Sequence, residues 1–294
     1  MRILENSELR IGIADKGAEL SSVVDKATGG ERLWTADPAV WNRHAPILFP
    51  FVGKLTGGKY RIGGREYPMK TQHGFARDLP FACEEATGDR VRHALAATED
   101  TKAIYPYDFR LRVTHALDGD NPRQLNIGWR VENAGDAEML FSIGGHPGFL
   151  LPPGVDKRDC FIRFPGRDAL SYFNVNAAGF ALPENPRRLT LDGGLAPYGA
   201  DMPDTWIFAG QDIREVGIAL PDGKPYVTLR CGQFPMLGVW ANPNGPFICL
   251  EPWFGRTDDV GFAGTIAEKP GIQRLAPGAA MEMGYSIEFH SACH

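Results

Sequence analysis

Phe109-Arg-Leu-Arg-Val-Thr-His-Ala-Leu-Asp-Gly-Asp-Asn-Pro-Arg-Gln-Leu-Asn-Ile-Gly-Trp-Arg-Val-Glu132 is the stretch on which the fold is decided. Phe109, Leu111, Val113, His115 and Leu117 recur every second residue, with Arg110, Arg112 and Thr114 between them. Leu125, Ile127, Trp129 and Val131 repeat the alternation against Asn126, Arg130 and Glu132. A period of two sets alternate side chains on opposite faces, the mark of a strand with one buried and one wet face. Asp118-Gly-Asp-Asn-Pro122 supplies the turn between the two runs, so they read as an antiparallel hairpin.

The same pattern returns at Met281, Met283, Tyr285, Ile287 and Phe289. Gly63-Gly64, between Tyr60-Arg-Ile62 and Arg65-Glu-Tyr67, marks a second hairpin turn. Further strands are expected at 9–14, 20–25, 91–97, 139–143, 160–164, 205–208, 216–220, 226–230, 237–240 and 247–251. A helical turn is expected only around 100–104, before Tyr105-Pro106. The chain holds 35 glycines and 23 prolines, about a fifth of 294 residues against a usual ~12%. Both residues disfavour helix interiors, so a helical bundle is excluded and many short strands joined by turns are favoured. No linker or solenoid repeat divides the sequence. One all-β domain over residues 1–294, mostly antiparallel with few short helices, is the expectation.

The charge balance narrows the partners. A net charge of -5 without a basic block argues against nucleic acid. The start carries no signal-peptide run, and the uncharged stretch from Cys231 to Leu250 is broken by Pro235, Pro243 and Pro246, so no membrane span is expected. Five widely spaced cysteines without a C-x-x-C pair argue against a disulfide framework or zinc ribbon and for a reduced, cytoplasmic protein. No histidine or cysteine cluster has metal-ligand spacing, and Walker, Rossmann and serine-hydrolase motifs are missing. Neither metal nor cofactor is expected.

Three residues stand in settings suited to acid–base chemistry. His73 in Gln72-His-Gly-Phe-Ala-Arg77 and His146 in Gly144-Gly-His-Pro-Gly-Phe149 lie on irregular, glycine-flanked backbone, where side chains are aimed into clefts. Glu251 ends the apolar run Phe247-Ile-Cys-Leu250, before a proline expected to stop the ladder. Partial burial there would raise its pKa toward general-base values, unless a salt bridge to Arg256 holds it. His115 reads as a core residue, His93, His290 and His294 as structural or surface residues, and His44 is left open.

Taken in order, five stretches resemble the aldose 1-epimerase (mutarotase) family, in particular its galactose-mutarotase-like subgroup associated with bacterial sugar operons. They are Ala45-Pro-Ile-Leu-Phe-Pro-Phe-Val-Gly-Lys54, Gly58-Lys-Tyr-Arg-Ile-Gly-Gly64, His73-Gly-Phe-Ala-Arg77, Gly144-Gly-His-Pro-Gly-Phe149 and Leu250-Glu-Pro-Trp-Phe-Gly255. The resemblance implies a β-supersandwich with an open cleft for a hexose, and interconversion of α and β anomers without cofactor. By position it assigns Glu251 as the general base, His146 as the general acid and His73 as the second, supporting histidine. It departs at Lys54, where many members carry Arg. Arg77 is expected to hold a sugar hydroxyl or a phosphate, or else to pair with Asp78 or Glu66. Asp204 and Trp240 complete the expected sugar contacts, and oligomeric state is left open. The alternative is a non-catalytic sugar-binding or sensing module on the same scaffold; a hydrolase or lyase in the same cleft is a third class.

Overall fold

The hairpin at Phe109–Leu117 and Gln124–Asn133 forms, with Leu117 opposite Leu125 and Phe109 opposite Asn133. The computed structural model describes residues 1–199 and 205–291. Gln124–Asn133 pairs on its other edge with Ala280–Phe289, the third strand read from alternation. Leu111, Val113, Leu125, Trp129 and Val131 are buried on one face, while Arg110, Arg112 and Arg130 stand on the other and bridge to Glu84, Glu132 and Glu282. These three strands are the middle of a nine-stranded antiparallel sheet that runs out to Ala82–Ala86 on one edge and Leu195–Pro197 on the other.

A six-stranded sheet packs against the buried face. Its order is Thr205–Ala209, Met236–Trp240, Phe247–Phe254, Ile143–Gly145 and Ile47–Leu48, with Gly148–Leu150 sharing the flank of Phe247–Phe254. Aromatic pairs join the layers, Phe164 on Phe208 with ring centres 5.1 Å apart and Phe149 on Phe289 at 6.2 Å. The two sheets share one apolar core, as a sandwich requires. The single α-helix among the described residues, Glu99–Ile104, starts at a capping box in which Thr98 and Thr101 satisfy each other's backbone N–H groups. It ends at Tyr105, before the proline.

The strand that carries Glu251 departs from the sequence reading. It runs Phe247–Phe254, straight through Pro252, rather than stopping at Glu251. Gly148–Leu150 pairs with residues 247–249, and Ile143–Gly145 pairs with 253 and 254. Between them, Leu250, Glu251 and Pro252 have ladder partners only on the Met236–Trp240 side. A proline opposite that gap deprives no neighbour of a hydrogen bond, so the strand tolerates it.

Alternation along this strand divides core from cleft. Ile248, Leu250 and Phe254 enter the core, and Cys249, Glu251 and Trp253 share the opposite face. Directly opposite on Met236–Trp240, Gly238 faces Glu251. A Cβ on Gly238 would lie 2.4 Å from the Trp253 ring, and one on Gly144 would lie 2.5 Å from it. Two glycines therefore let the indole lie flat across the sheet and floor the cleft. Gly238→Ala is expected to destabilise the fold by about 1–3 kcal/mol through overpacking, read as a lower denaturation midpoint. An unchanged midpoint would mean that the ring is free to move aside.

Candidate active site

The cleft on the outer face of the six-stranded sheet has a volume of about 620 Å³. Trp253 and Ile207 line its floor, Trp41 and Trp240 one wall, and the 174–179 loop the other. His73, His146 and Glu251, far apart in sequence, all line it. A hollow of about 720 Å³ on the outer face of the larger sheet is lined by Arg112, Arg130 and Arg230, each tied to glutamates, and brings no acid–base pair together.

His146 sits on the irregular turn between Ile143–Gly145 and Gly148–Leu150, opposite the unpaired part of Phe247–Phe254. Its Nε2 lies 3.3 Å from Glu251 Oε2. Trp41 lies over its ring at 4.9 Å and Trp240 meets it edge-on at 5.4 Å. Burial pushes the Glu251 carboxyl well above the usual carboxylate range and pushes the His146 imidazole down to about 3. Both shifts have the same cause: two charges are costly to hold out of water. The stable arrangement is the uncharged pair, with one proton on the carboxyl and the imidazole neutral. Arg256, the salt-bridge partner considered from sequence, instead engages Asp259.

His73 is fixed by its backbone. It has a positive φ of 66°, and Gly74 follows with φ 70°. A Cβ on Gly74 would strike the Phe49 carbonyl oxygen at 2.2 Å, so only glycine fits there. The His73 N–H donates to the Gly53 carbonyl at 2.8 Å, and the Gly53 N–H donates to His73 Nδ1 at 3.0 Å. Since Nδ1 accepts, the ring is neutral with its proton on Nε2. Burial, with His146, Arg77 and Lys54 nearby, drives its pKa well down. The two imidazoles stand nearly perpendicular, 5.5 Å apart.

The expected sugar contacts fare differently. Trp240 and Arg77 line the cleft. Arg77 is not paired to Glu66, which takes Lys59, and it reaches Asp78 only at 3.9 Å because Arg43 holds that carboxylate. One of its guanidinium nitrogens donates to the Gln72 carbonyl, and Nε, the atom nearest Asp78, has no hydrogen-bond partner. Lys54 lines the cleft, but its ammonium donates to the Ala178 carbonyl at 2.8 Å. It ties the 174–179 loop to the cleft wall, a role the shape of the motif did not show. Asp204 lies outside the described residues.

The structure also adds residues that sequence reading passed over. Trp41 belongs to a stretch that drew notice for His44, whose Nδ1 bonds the Trp34 carbonyl. Asn174 lines the cleft with its Oδ1 buried and unpartnered, and nothing in its local sequence marks it. Of the remaining histidines, His93 is buried against Asp15 at 2.9 Å and His115 is core, with Nδ1 unsatisfied. Trp206 is wholly in the core.

The family model for aldose 1-epimerase matches residues 2–183, and the chain belongs to that family. Membership brings a general mutarotase-type function with a sugar as the kind of substrate. The chain is similar to a galactose mutarotase related enzyme from Lactobacillus acidophilus, at 31% identity and a TM-score of 0.91, covering 98% of this chain and 97% of that one. It is also similar to a galactose mutarotase-like protein from Lactobacillus casei, at 33% identity and a TM-score of 0.89, covering 99% and 100%. A curated relative, the plasmid-encoded protein LacX of Lactococcus lactis subsp. lactis, is 29% identical over 97% of both chains. No helix among the described residues is long and apolar enough to cross a membrane.

The buried imidazoles make stability depend on pH. His115 is held down to about 3 and His73 is also lowered, so below about pH 6.5 the unfolded chain binds protons that the fold refuses. Stability therefore falls as pH drops from about 6.5 toward about 3. His146 acts in the same sense, but Glu251, protonated more readily in the fold than when unfolded, acts in the opposite one. His115→Gln, which lies outside the cleft, is expected to flatten the acid-side fall by up to about 1.4 kcal/mol per pH unit, measured by denaturant unfolding across pH. An unaltered profile would show that His115 titrates normally.

Proposed function

We propose that this protein is an aldose 1-epimerase that interconverts the α and β anomers of a hexose, with Glu251 as general base and His146 as general acid. The observation that carries the reading is the 3.3 Å approach of His146 Nε2 to Glu251 Oε2 inside an open cleft. The two oxygens to be served, the C1 hydroxyl and the ring oxygen, are bonded to the same carbon. An acid and a base serving them at once must themselves be neighbours.

The proton count balances. Transfer of the Glu251 proton to His146 readies the pair. The carboxylate takes the proton of the C1 hydroxyl as the imidazolium gives one to the ring oxygen, the C1–ring oxygen bond breaks and a carbonyl forms at C1. This leaves Glu251 protonated and His146 neutral, the forms that burial favours. Rotation about C1–C2 presents the other carbonyl face. Reclosure returns the proton from Glu251 to the carbonyl oxygen and that of the ring hydroxyl to His146. His73, with its proton on Nε2, is suited to donate a hydrogen bond to the sugar near the ring oxygen. The tryptophan walls suit the apolar faces of a sugar ring, and Asn174 Oδ1 is free to accept from a hydroxyl.

Arg77, poorly neutralised beside the cleft, supports recognition of a sugar hydroxyl or of a phosphate on the hexose. Comparing anomerisation of glucose with that of glucose 6-phosphate separates the two. The free thiols of Cys83, Cys160, Cys231 and Cys249 support a reducing, cytoplasmic setting.

Polarimetry of freshly dissolved α-galactose and α-glucose tests the activity. The protein is expected to speed mutarotation, and Glu251→Gln and His146→Asn each to slow it by about 10²–10⁴-fold. Saturable sugar binding with the rate left at its buffer value would instead support a sugar-binding module.

A further inference from the structure

His146, Cys249 and Glu251 form a second constellation overlapping the first. One ligand atom from each, an imidazole nitrogen, the thiol sulfur and a carboxylate oxygen, lies within 4.8 Å of the others, and all three residues are buried. The ladder assembles them. Gly148 pairs with Cys249, which brings the His146 turn over the strand, and the period of two sets Cys249 beside Glu251 on the cleft face. Glu251 Oε2 and His146 Nδ1 are buried without a hydrogen-bond partner. Cys249 is a free thiol, and the chemistry proposed above makes no use of it.

We propose that these three side chains bind a borderline-soft divalent metal ion, zinc fitting best, and that the bound ion shuts off the isomerase. Zinc takes thiolate, imidazole and carboxylate together at about 2.0–2.3 Å in a tetrahedron, which places ligand atoms about 3.3–3.8 Å apart. A spacing within 4.8 Å closes onto one ion when side-chain rotation draws the ligand atoms together by about an ångström. Magnesium and calcium, which demand oxygen ligands, do not suit a sulfur and a nitrogen.

The charges balance as well. Binding releases the thiol proton of Cys249 and the one proton of the His146–Glu251 pair, so two positive charges leave as two arrive. A buried site stays neutral throughout, as a low-dielectric setting requires. With Glu251 and His146 bound to the ion, neither can exchange a proton with a sugar. That inhibitory consequence rests on the acid–base reading; the binding of the ion does not.

The test uses the purified full chain freed of metal by a chelator. Zinc chloride is titrated against a chromophoric chelator, cobalt chloride is added while the near-ultraviolet thiolate-to-metal absorption is followed, and mutarotation is measured with and without zinc. One tight equivalent of zinc per chain, a thiolate–cobalt band and chelator-reversible loss of activity are expected. Cys249→Ser should keep its basal activity, lose the band and bind zinc at least about tenfold more weakly. If that variant does not fold, Glu251→Gln is expected to show the same loss of tight cobalt binding. Equal zinc binding by the variants, or a cobalt-loaded wild type without a thiolate band, would overturn the site. A band without any mutarotase activity would uphold the site and overturn the function it is said to inhibit.

Discussion

The site depends on one constraint: an ionisable glutamate is carried on the inner strand of a sheet, where water cannot solvate its charge. Burial of a carboxylate is affordable only if a proton or a partner neutralises it. His146 meets that demand because the strand ladder breaks opposite residues 250–252 and the turn that fills the break carries the imidazole. A continuous ladder would have satisfied the backbone better and left no room for the ring. The gap in hydrogen bonding, the tolerance of Pro252 and the acid–base pair are therefore one feature seen from three sides.

Around this pair the fold supplies rigidity on one side and adaptability on the other. Gly144 and Gly238 let Trp253 pave the floor, and the reciprocal hydrogen bonds between Gly53 and His73 lock the second imidazole in one tautomer. Opposite them, the loop at 174–179 has no place in either large sheet and is tied in by the Lys54 ammonium and by Thr257, whose hydroxyl donates to the Gly179 carbonyl. Thr257 is itself braced by its neighbour Asp258, which forms a buried ion pair with Lys269. Lysine thus serves where the resemblance led one to expect arginine. A single ammonium suffices to hold one carbonyl, whereas a bidentate fork is needed to hold a planar anion.

Much of this was legible in the sequence because it rests on periodicity and on backbone exceptions. Strands with one wet face announce themselves by alternation, so the hairpin at 109–133 and its partner at 280–289 were readable, and the glycines around His73 and His146 marked irregular backbone. The edge strand Ala82–Ala86 was not, because Ala-Cys-Glu-Glu-Ala alternates weakly and a bulge between Cys83 and Glu85 shifts its register. The continuation of the Glu251 strand through Pro252 was missed because a proline's cost depends on which flank is paired, a fact held in the partner strands. Trp41, Asn174 and the proximity of Cys249 to His146 were illegible for the same reason. Their meaning comes from register between distant segments, whereas Glu251 and both histidines were placed by resemblance as well as by setting.

The claim at the centre is that His146 and Glu251 act as one proton-sharing unit. The measurement that bears on it most directly is the anomerisation rate of the double variant His146→Asn/Glu251→Gln beside the two single ones. Groups that work as a unit are lost together, so the double variant should be about as slow as either single variant. Losses that multiply in the double variant would show two independent groups and contradict the account.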